Sequence, residues 1–335
     1  MLTRGILKEA AMRLIEYCEN HKLPQTAVVK YKVLFHILDT PYDNSQLTKL
    51  RTEFLVSDIV EELYLEQDRF GGWGNFHSKD YSAKDKFPTS VVAINRCLYI
   101  GLTQNDRDIL ICASEYLEDL INGTARERFR NTNERVIPWN MASFCNMLEA
   151  VQAYNPLCDQ TYNEWMYIAG RAFEDGEYSS EREHAAQHDV FHTREERLVP
   201  MQTNLLLKRR AEVPEKLQEA MLLHYGWHGY RYGDVWQETP DKLPENFIYN
   251  KTRRWFFTFN YINQFRGSAV YLADSVEWLM RNRNADGIWD WGSQIKDPWG
   301  YFHYFSTSKK YKHNRAVDCT IEVLSFLKAY LDRNE

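Results

Sequence analysis

The chain has 335 residues, of which 44% are hydrophobic and 26% are charged, and its formal net charge is -6. This balance is typical of a folded globular protein and predicts no nucleic-acid partner, because binding phosphates requires a concentrated basic surface. No stretch approaches the roughly 18 apolar residues of a transmembrane helix, and the N-terminal segment lacks a signal peptide's uninterrupted apolar run. Six cysteines without a C-x-x-C pair predict a reducing, cytoplasmic location.

Helical patterns of two kinds alternate along the chain. The first predicted helix lies near residues 2–20. Proline is tolerated in the first turn of a helix, where its missing N–H has no intrahelical partner to lose. Prolines therefore mark the beginnings of a set of apolar helices, and the helices between them are amphipathic with one wet face. The apolar helices are predicted to begin near Pro24, Pro88, Pro138, Pro200, Arg253 and Val317.

Glycines recur near the ends of the amphipathic helices at intervals of 52, 53, 53 and 58 residues. The first and last copies also match upstream, where the V-E-x-L pattern at Val60 recurs at Val276, 216 residues later. A period of this size indicates a repeat protein whose copies stack and share one core. The glycines are Gly71, Gly123, Gly176, Gly229 and Gly287.

The links between helices alternate in length. Those from an amphipathic helix to the next apolar helix run roughly 15 to 30 residues, and the others are short. All long links therefore lie at one end of the molecule, and binding residues concentrate on such loops when a rigid scaffold holds them. The apolar helices, which would be the inner helices of such a fold, begin at this end of the molecule, called the mouth below. Their N-termini carry partial positive charge, which suits an anionic ligand.

This alternation predicts an all-α fold, an α/α toroid of about six inner and six outer helices. We expect one domain over residues 1–335, in which the N-terminal helix packs beside the C-terminal helix and closes the ring. Residues 177–197 are predicted to form a helical excursion, or lid, at the mouth. A solenoid that does not close is the structural alternative.

Two segments, LYLEQDRFGGWG and WLMRNRNADGIWDWG, resemble the QW-type repeat of the terpenoid cyclase and protein prenyltransferase superfamily, whose fold is an α/α toroid. Class II terpene cyclases in that superfamily use the acid of a D-x-D-D-T motif. The corresponding stretch here reads D-K-F-P-T from Asp85 to Thr89, so the two central carboxylates are replaced. The prenyltransferase zinc motif is not matched, because Asp318 and Cys319 are adjacent and no histidine follows them.

Acid–base groups at the mouth supply the candidate catalytic residues. Asp85, Asp290 and Asp318 are predicted to act there, since a paired acid and base serves a glycoside hydrolase or a lyase. Asp318 can alternatively cap the last helix. Arg253 and Arg254, at the start of an inner helix, are predicted to clamp a diphosphate or a uronate carboxylate, with exposed first-turn charges as the alternative.

Aromatic residues form 14% of the chain, and many fall in the long links. Such a lining would stabilise carbocations or stack on sugar rings. Alternatively, each G-x-W tryptophan pins its link onto the neighbouring repeat. Besides the two arginines, the predicted substrate-binding residues are Trp73, His77, Trp139, Asn140, Gln202, Trp255, Trp289, Trp291 and His303.

Histidines recur every four residues at His184, His188 and His192. Two histidines at i and i+4 share a helix face and can bind one zinc ion, so His184 and His188 are candidate metal ligands. A solvated histidine-rich helix face is the alternative. No other cofactor is predicted.

Three functions follow from these patterns. The first is a cyclase-like enzyme without the D-x-D-D acid, which holds an apolar, isoprenoid-type ligand in the aromatic mouth. The second is a carbohydrate-active barrel, either a glycoside hydrolase or a polysaccharide lyase, and the third is a non-catalytic toroid that binds a peptide or protein. The expected ligand is a small molecule or an oligosaccharide. A closed, apolar pocket would favour the first function, and an open groove with facing carboxylates would favour the second.

Overall fold

The computed structural model describes the chain in several stretches, which form fourteen α-helices and one short hairpin. The predicted all-α fold class is confirmed. Only the backbone is described at residues 138–139, 200–202, 231–232, 235–236, 250–254, 257 and 312. The described stretches are residues 2–77, 87, 89–124, 138–192, 200–229, 231–232, 235–236, 239, 242–247, 250–292 and 312–334.

The helices alternate with connections along the whole described chain. In order they are α1 (Arg4–Asn20), α2 (Thr26–Lys32), α3 (Ser45–Leu55), α4 (Asp58–Glu66), α5 (Ser90–Ile100), α6 (Ile109–Asn122), α7 (Pro138–Gln152), α8 (Asp159–Ala172), α9 (Ser180–Phe191), α10 (Pro200–Lys208), α11 (Glu215–His228), α12 (Asn250–Ile262), α13 (Ala269–Arg281) and α14 (Lys312–Asn334).

Shorter elements join some of these helices. A π-helical segment, Val33–Ile37, continues α2, and a 3-10 turn, Pro156–Cys158, precedes α8. The hairpin follows α11 and consists of β1 (Arg231–Tyr232) and β2 (Val235–Trp236). Its strands are antiparallel, with Arg231 opposite Trp236 and Tyr232 opposite Val235.

The chain divides into two compact units. The single toroid domain predicted over residues 1–335 stays a prediction. Unit 1 comprises Met1–Glu66, Asn95–Arg107 and Pro240–Glu335, and unit 2 comprises Gln67–Ile94 and Asp108–Thr239.

Four of the six predicted apolar helices begin at or within two residues of their prolines. Helices α7 and α10 begin at Pro138 and Pro200, and α2 and α5 begin two residues after Pro24 and Pro88. Helix α14 is different, because it begins five residues before Val317. Its first turn is polar, so the apolar pattern alone could not locate it.

Within unit 1, the N-terminal helix α1 packs against the C-terminal helix α14, as predicted. Leu7, Ala10, Leu14 and Cys18 are buried on one face of α1, with the three-to-four-residue spacing of an amphipathic helix. This contact joins the two ends of the chain. Closure of a toroid stays a prediction.

Within unit 2, α7 packs against α6 and α10, and α8 packs against α9. The guanidinium of Arg209 bonds Glu149, which is fully buried, and lies 2.5 Å from a carboxylate oxygen of Asp159. Helix α9 covers most of the predicted excursion at residues 177–197 and buries Glu183 and Gln187. Its proposed role as a lid stays a prediction.

Two glycine turns, one after α4 and one after α13, have the same hydrogen bonds. The N–H of Gly71 donates to the carbonyl of Asp68 at 2.9 Å, and the N–H of Gly287 donates to the carbonyl of Asn284 at 2.9 Å. The side chain of Asp68 also accepts from two backbone N–H groups, and so does that of Asn284. Both glycines have positive φ, +89° and +77°, a region that glycine enters without steric cost.

Each turn is followed by a buried tryptophan whose backbone N–H donates to a helix hydroxyl. Trp73 bonds Ser90 of α5 at 2.9 Å, and Trp289 bonds Thr320 of α14 at 3.1 Å. The indole N–H of Trp289 also donates to the carbonyl of Leu279 at 2.8 Å. Only 2% of Trp73 and 0% of Trp289 is exposed. Both side chains therefore anchor their connections, and a substrate-binding role for them stays a prediction.

The first turn has no room for a side chain at its glycine. A Cβ on Gly71 would lie 1.9 Å from the carbonyl oxygen of Cys112, whereas a Cβ on Gly176, with φ +88°, would meet nothing within 4 Å. We expect Gly71→Ala to lower the free energy of unfolding by at least about 3 kcal/mol and Gly176→Ala by about 1 kcal/mol. Urea unfolding measures both, and equal losses would contradict this steric explanation.

In unit 1, Gly101 permits a close contact between its own backbone and the ring of His36. The ring Nε2–H of His36 donates to the carbonyl of Gly101 at 3.1 Å, and a Cβ on Gly101 would lie 2.6 Å from that nitrogen. Burial, followed by the charge of Lys32, lowers the pKa of His36 from 6.5 to about 4. His36 is therefore neutral in the folded protein at neutral pH.

This lowered pKa predicts acid sensitivity. The unfolded chain binds the proton more tightly, so the stabilisation is complete above pH 6.5 and is lost as the pH falls towards 4. We expect a loss of up to about 3 kcal/mol from this residue. His36→Gln retains an N–H donor and should reduce the loss, as measured by urea unfolding at several pH values. Substituting the exposed His188 by Gln is the control, and an equal effect of both variants would refute the assignment.

Candidate functional site

The beginnings of α2 and α14 lie beside the end of α1 in unit 1. Gln25, which precedes α2, donates a side-chain hydrogen bond to Asn314 in the first turn of α14. The hydroxyl of Tyr17 on α1 lies 2.7 Å from Nδ1 of His313 on α14. These two contacts bring polar side chains from three elements to one place.

Three rings form a tyrosine–histidine cluster here, consisting of Tyr17, His21 and His313. The centroids of the two imidazoles are 4.1 Å apart, and that of Tyr17 is 4.5 Å from His21. Tyr17 is 6% exposed, whereas His21 is exposed. The cluster therefore has a buried phenol at its base and an accessible imidazole at its surface.

The phenol retains its proton at neutral pH. Burial, and then the charges of Asp286 and Asp290, raise the pKa of Tyr17 from 10.0 to about 12. A protonated hydroxyl donates to a neutral imidazole nitrogen. With a neutral His313, the bond between Tyr17 and His313 is O–H donating to Nδ1.

A groove of about 640 Å³ runs along α1 beside the Asn284–Gly287 turn. This volume is within the range of small-molecule sites, about 300–1,000 Å³. All of its lining residues except Met280, Ala285 and Gly287 have polar side chains. The lining consists of Glu9, Arg13, Glu16, Tyr17, Asn20, His21, Met280, Arg283, Asn284, Ala285, Asp286 and Gly287.

Charges of both signs line the groove. Glu9, Arg13, Glu16 and Asn20 are three or four residues apart on α1, so they share a face. Arg13 bonds Glu16 at 3.1 Å, and Arg283 lies 3.7 Å from Glu9 across the groove. The two guanidinium groups and the amide can bind a carboxylate on a ligand.

An ion pair fastens the segment that follows the Asn284–Gly287 turn to α14. Two nitrogens of the Arg315 guanidinium bond the two carboxylate oxygens of Asp290, at 2.6 and 2.9 Å. The Arg315 side chain is 14% exposed and that of Asp290 is 16% exposed. The carboxylate also accepts the N–H of Gly292 at 2.8 Å.

Of the predicted catalytic residues, the structure describes Asp290 and Asp318. Asp290 is held by Arg315 as described above. Asp318 is buried, and its backbone carbonyl accepts a hydrogen bond from the hydroxyl of Tyr99 at 3.0 Å. Neither aspartate lines the groove. Their catalytic roles stay predictions, and Asp85 lies outside the described residues.

None of the predicted substrate-binding residues whose side chains the structure describes lines the groove. Trp255 is buried and stacks on Phe259 with ring centroids 3.5 Å apart. Trp291 and Asn140 are also buried, and His77 is half-buried. His303 lies outside the described residues, as do the side chains of Trp139, Gln202, Arg253 and Arg254.

The predicted metal ligands His184 and His188 lie on α9. Among the residues that the structure describes, no group of three or more histidine, cysteine, aspartate or glutamate side chains could hold a metal ion. Their role as metal ligands stays a prediction.

Sequence reasoning missed the residues of the tyrosine–histidine cluster. One signal was available, because polar residues recur at helical spacing along α1. The pairing of α1 with the Asn284–Gly287 turn had no such signal, since it depends on contacts between distant parts of the chain. His313 lies in the polar first turn of α14, which the apolar pattern did not include.

Comparisons with known proteins give no functional assignment, so the function has to be inferred from the site. No protein-family model, curated protein or solved structure matches the chain. In the part that the structure describes, no helix combines the length and apolar character needed to cross a bilayer.

The ion pair of Asp290 and Arg315 predicts a measurable loss of stability. Asp290→Asn retains the shape and the acceptor for Gly292 but leaves a mostly buried guanidinium without its counter-charge. We expect the free energy of unfolding to fall by about 2 kcal/mol or more. In the exposed pair of Arg171 and Glu174, Glu174→Gln should cost less than about 0.5 kcal/mol. Urea unfolding compares them, and similar losses would contradict the prediction.

Proposed function

We propose that the protein is a carbohydrate-active enzyme, a lyase that binds an acidic oligosaccharide in the groove beside α1. One observation carries the proposal. The groove combines an accessible imidazole and a protonated phenol, His21 and Tyr17, with two guanidinium groups, Arg13 and Arg283.

The polarity of the groove favours a sugar over an isoprenoid ligand. An isoprenoid chain would have to displace water from charged walls and offer no hydrogen bonds in return, which is unfavourable. A sugar can instead exchange hydrogen bonds with the amides of Asn20 and Asn284 and with the charged side chains. The isoprenoid hypothesis depends largely on aromatic links outside the described residues, and it stays a prediction.

The kind of group in the groove favours a lyase over a hydrolase. A hydrolase needs two carboxyl groups, one of which burial keeps protonated. The side chains of Glu9 and Glu16 are 58% and 55% exposed, and each lies beside an arginine. A lyase instead needs a base, a proton donor and cations that stabilise the charge developing beside a carboxylate.

These residues can divide the reaction between them. Arg13 or Arg283 would bind the carboxylate of a uronate, which makes the neighbouring C–H more acidic. His21 would remove that proton while the bond to the leaving sugar oxygen breaks and a carbon–carbon double bond forms. Tyr17 would give its proton to the leaving oxygen, and after the product leaves, the proton taken up by His21 would restore the phenol. The elimination consumes no water and needs no redox partner.

The assay is the appearance of an unsaturated, ultraviolet-absorbing product from a panel of uronate-containing polysaccharides, with neutral polysaccharides alongside. His21→Gln should lower kcat by at least about 100-fold, and Arg283→Met should mainly raise KM. Arg171→Met, which removes an exposed arginine, should change neither.

Each alternative function has its own outcome. New reducing ends without ultraviolet absorbance would indicate a hydrolase and refute the lyase. Binding of a prenyl diphosphate, with no polysaccharide bound or cleaved, would overturn the carbohydrate proposal and support the isoprenoid hypothesis. Activity unaffected by His21→Gln would remove the site from this groove.

A further inference from the structure

Lys32 is a buried lysine at an unusual point of the backbone. It is the last residue of α2, and the π-helical segment Val33–Ile37 begins immediately after it. Its side chain lies inside unit 1, where the residue is 9% exposed. Single π-helical turns are uncommon and frequently occur at functional sites.

The ammonium group of Lys32 lacks the contacts that usually accompany burial. Its Nζ lies over the ring of Tyr99, 5.7 Å from the centroid. Within the described part of the chain it forms no side-chain hydrogen bond and no ion pair within 4 Å. An ammonium has three N–H donors, and those of Lys32 are therefore left to water or to a ligand.

A carboxylate acts electrostatically on this amine. The negative charge of Glu322 on α14 favours the charged form of Lys32. The side-chain amide of Asn260 on α12 donates to a Glu322 oxygen at 2.6 Å, which orients the carboxylate. Tyr99, Asn260 and Glu322 are half-buried.

Burial also changes the chemistry of the amine. It lowers the pKa of Lys32 from 10.5 to about 8, while Glu322 opposes the shift. Near neutral pH a substantial fraction of this amine is therefore uncharged, whereas an exposed lysine is almost wholly protonated. The uncharged form is the nucleophile.

We propose that Lys32 is a nucleophilic amine that condenses with a small aldehyde or ketone to form an imine. The nitrogen lone pair attacks the carbonyl carbon, and a C–N bond forms. Two protons pass in turn from nitrogen to the carbonyl oxygen, so that the first forms a hydroxyl and the second releases it as water when the C=N bond forms. The step requires no oxidant, reductant or metal, and it is independent of the lyase activity proposed for the groove.

Glycolaldehyde with sodium cyanoborohydride, which reduces an imine to a stable amine, tests this in the full-length protein. Peptide mass mapping compares the labelling of Lys32 with that of the exposed Lys49. Near neutral pH we expect Lys32 to label at least about ten-fold faster. Its rate should rise to half of its maximum near pH 8.

A variant tests the role of the carboxylate. Glu322→Gln removes the charge that opposes the pKa shift, so the labelling of Lys32 should reach half of its maximum at a lower pH while that of Lys49 stays unchanged, with circular dichroism as the check that the fold is retained. Equal labelling of Lys32 and Lys49 in the folded wild-type protein would overturn the proposal. That comparison needs no variant, so it decides even if Glu322→Gln fails to fold.

Discussion

The hydrogen bond from a tryptophan N–H to a helix hydroxyl is the contact on which the other features depend. In each of the two matching turns, a polar residue and a positive-φ glycine reverse the chain, and the buried tryptophan then joins it to α5 or α14. An indole in the core makes this anchor hard to displace, because moving it would expose a large apolar area. The turn after α13 is therefore fixed relative to α14.

That rigidity would serve the proposed lyase reaction in unit 1. The Asn284–Gly287 turn is one wall of the groove, and α1 is the other. The same stretch of chain thus has a structural role through Trp289 and, in the proposed function, a binding role through Arg283. Catalytic groups must be held in place before the substrate arrives. A wall anchored in the core and tied to α14 by Asp290 and Arg315 meets this requirement.

The sequence was sufficient to predict the helices because their signals are local. Apolar spacing and prolines located the helices, and the repeated glycines located the turns. The site was different, because its groups come from positions as distant as Tyr17 and His313, which no local pattern connects. The aromatic residues of the long links were predicted to bind substrate. The two described G-x-W tryptophans, Trp73 and Trp289, are instead anchors in the core. A strongly apolar residue in a loop is more easily explained by packing than by a ligand.

The packing of α1 against segments from the far end of the chain also affects the order in which the structure assembles. A ribosome makes α1 well before it makes α14, so the part of α1 that packs against α14 stays uncovered until then. Contacts between such distant segments close slowly, and an uncovered apolar face invites association with other chains in the meantime. The newly made helix α1 is therefore the segment that a chaperone would have most reason to shield.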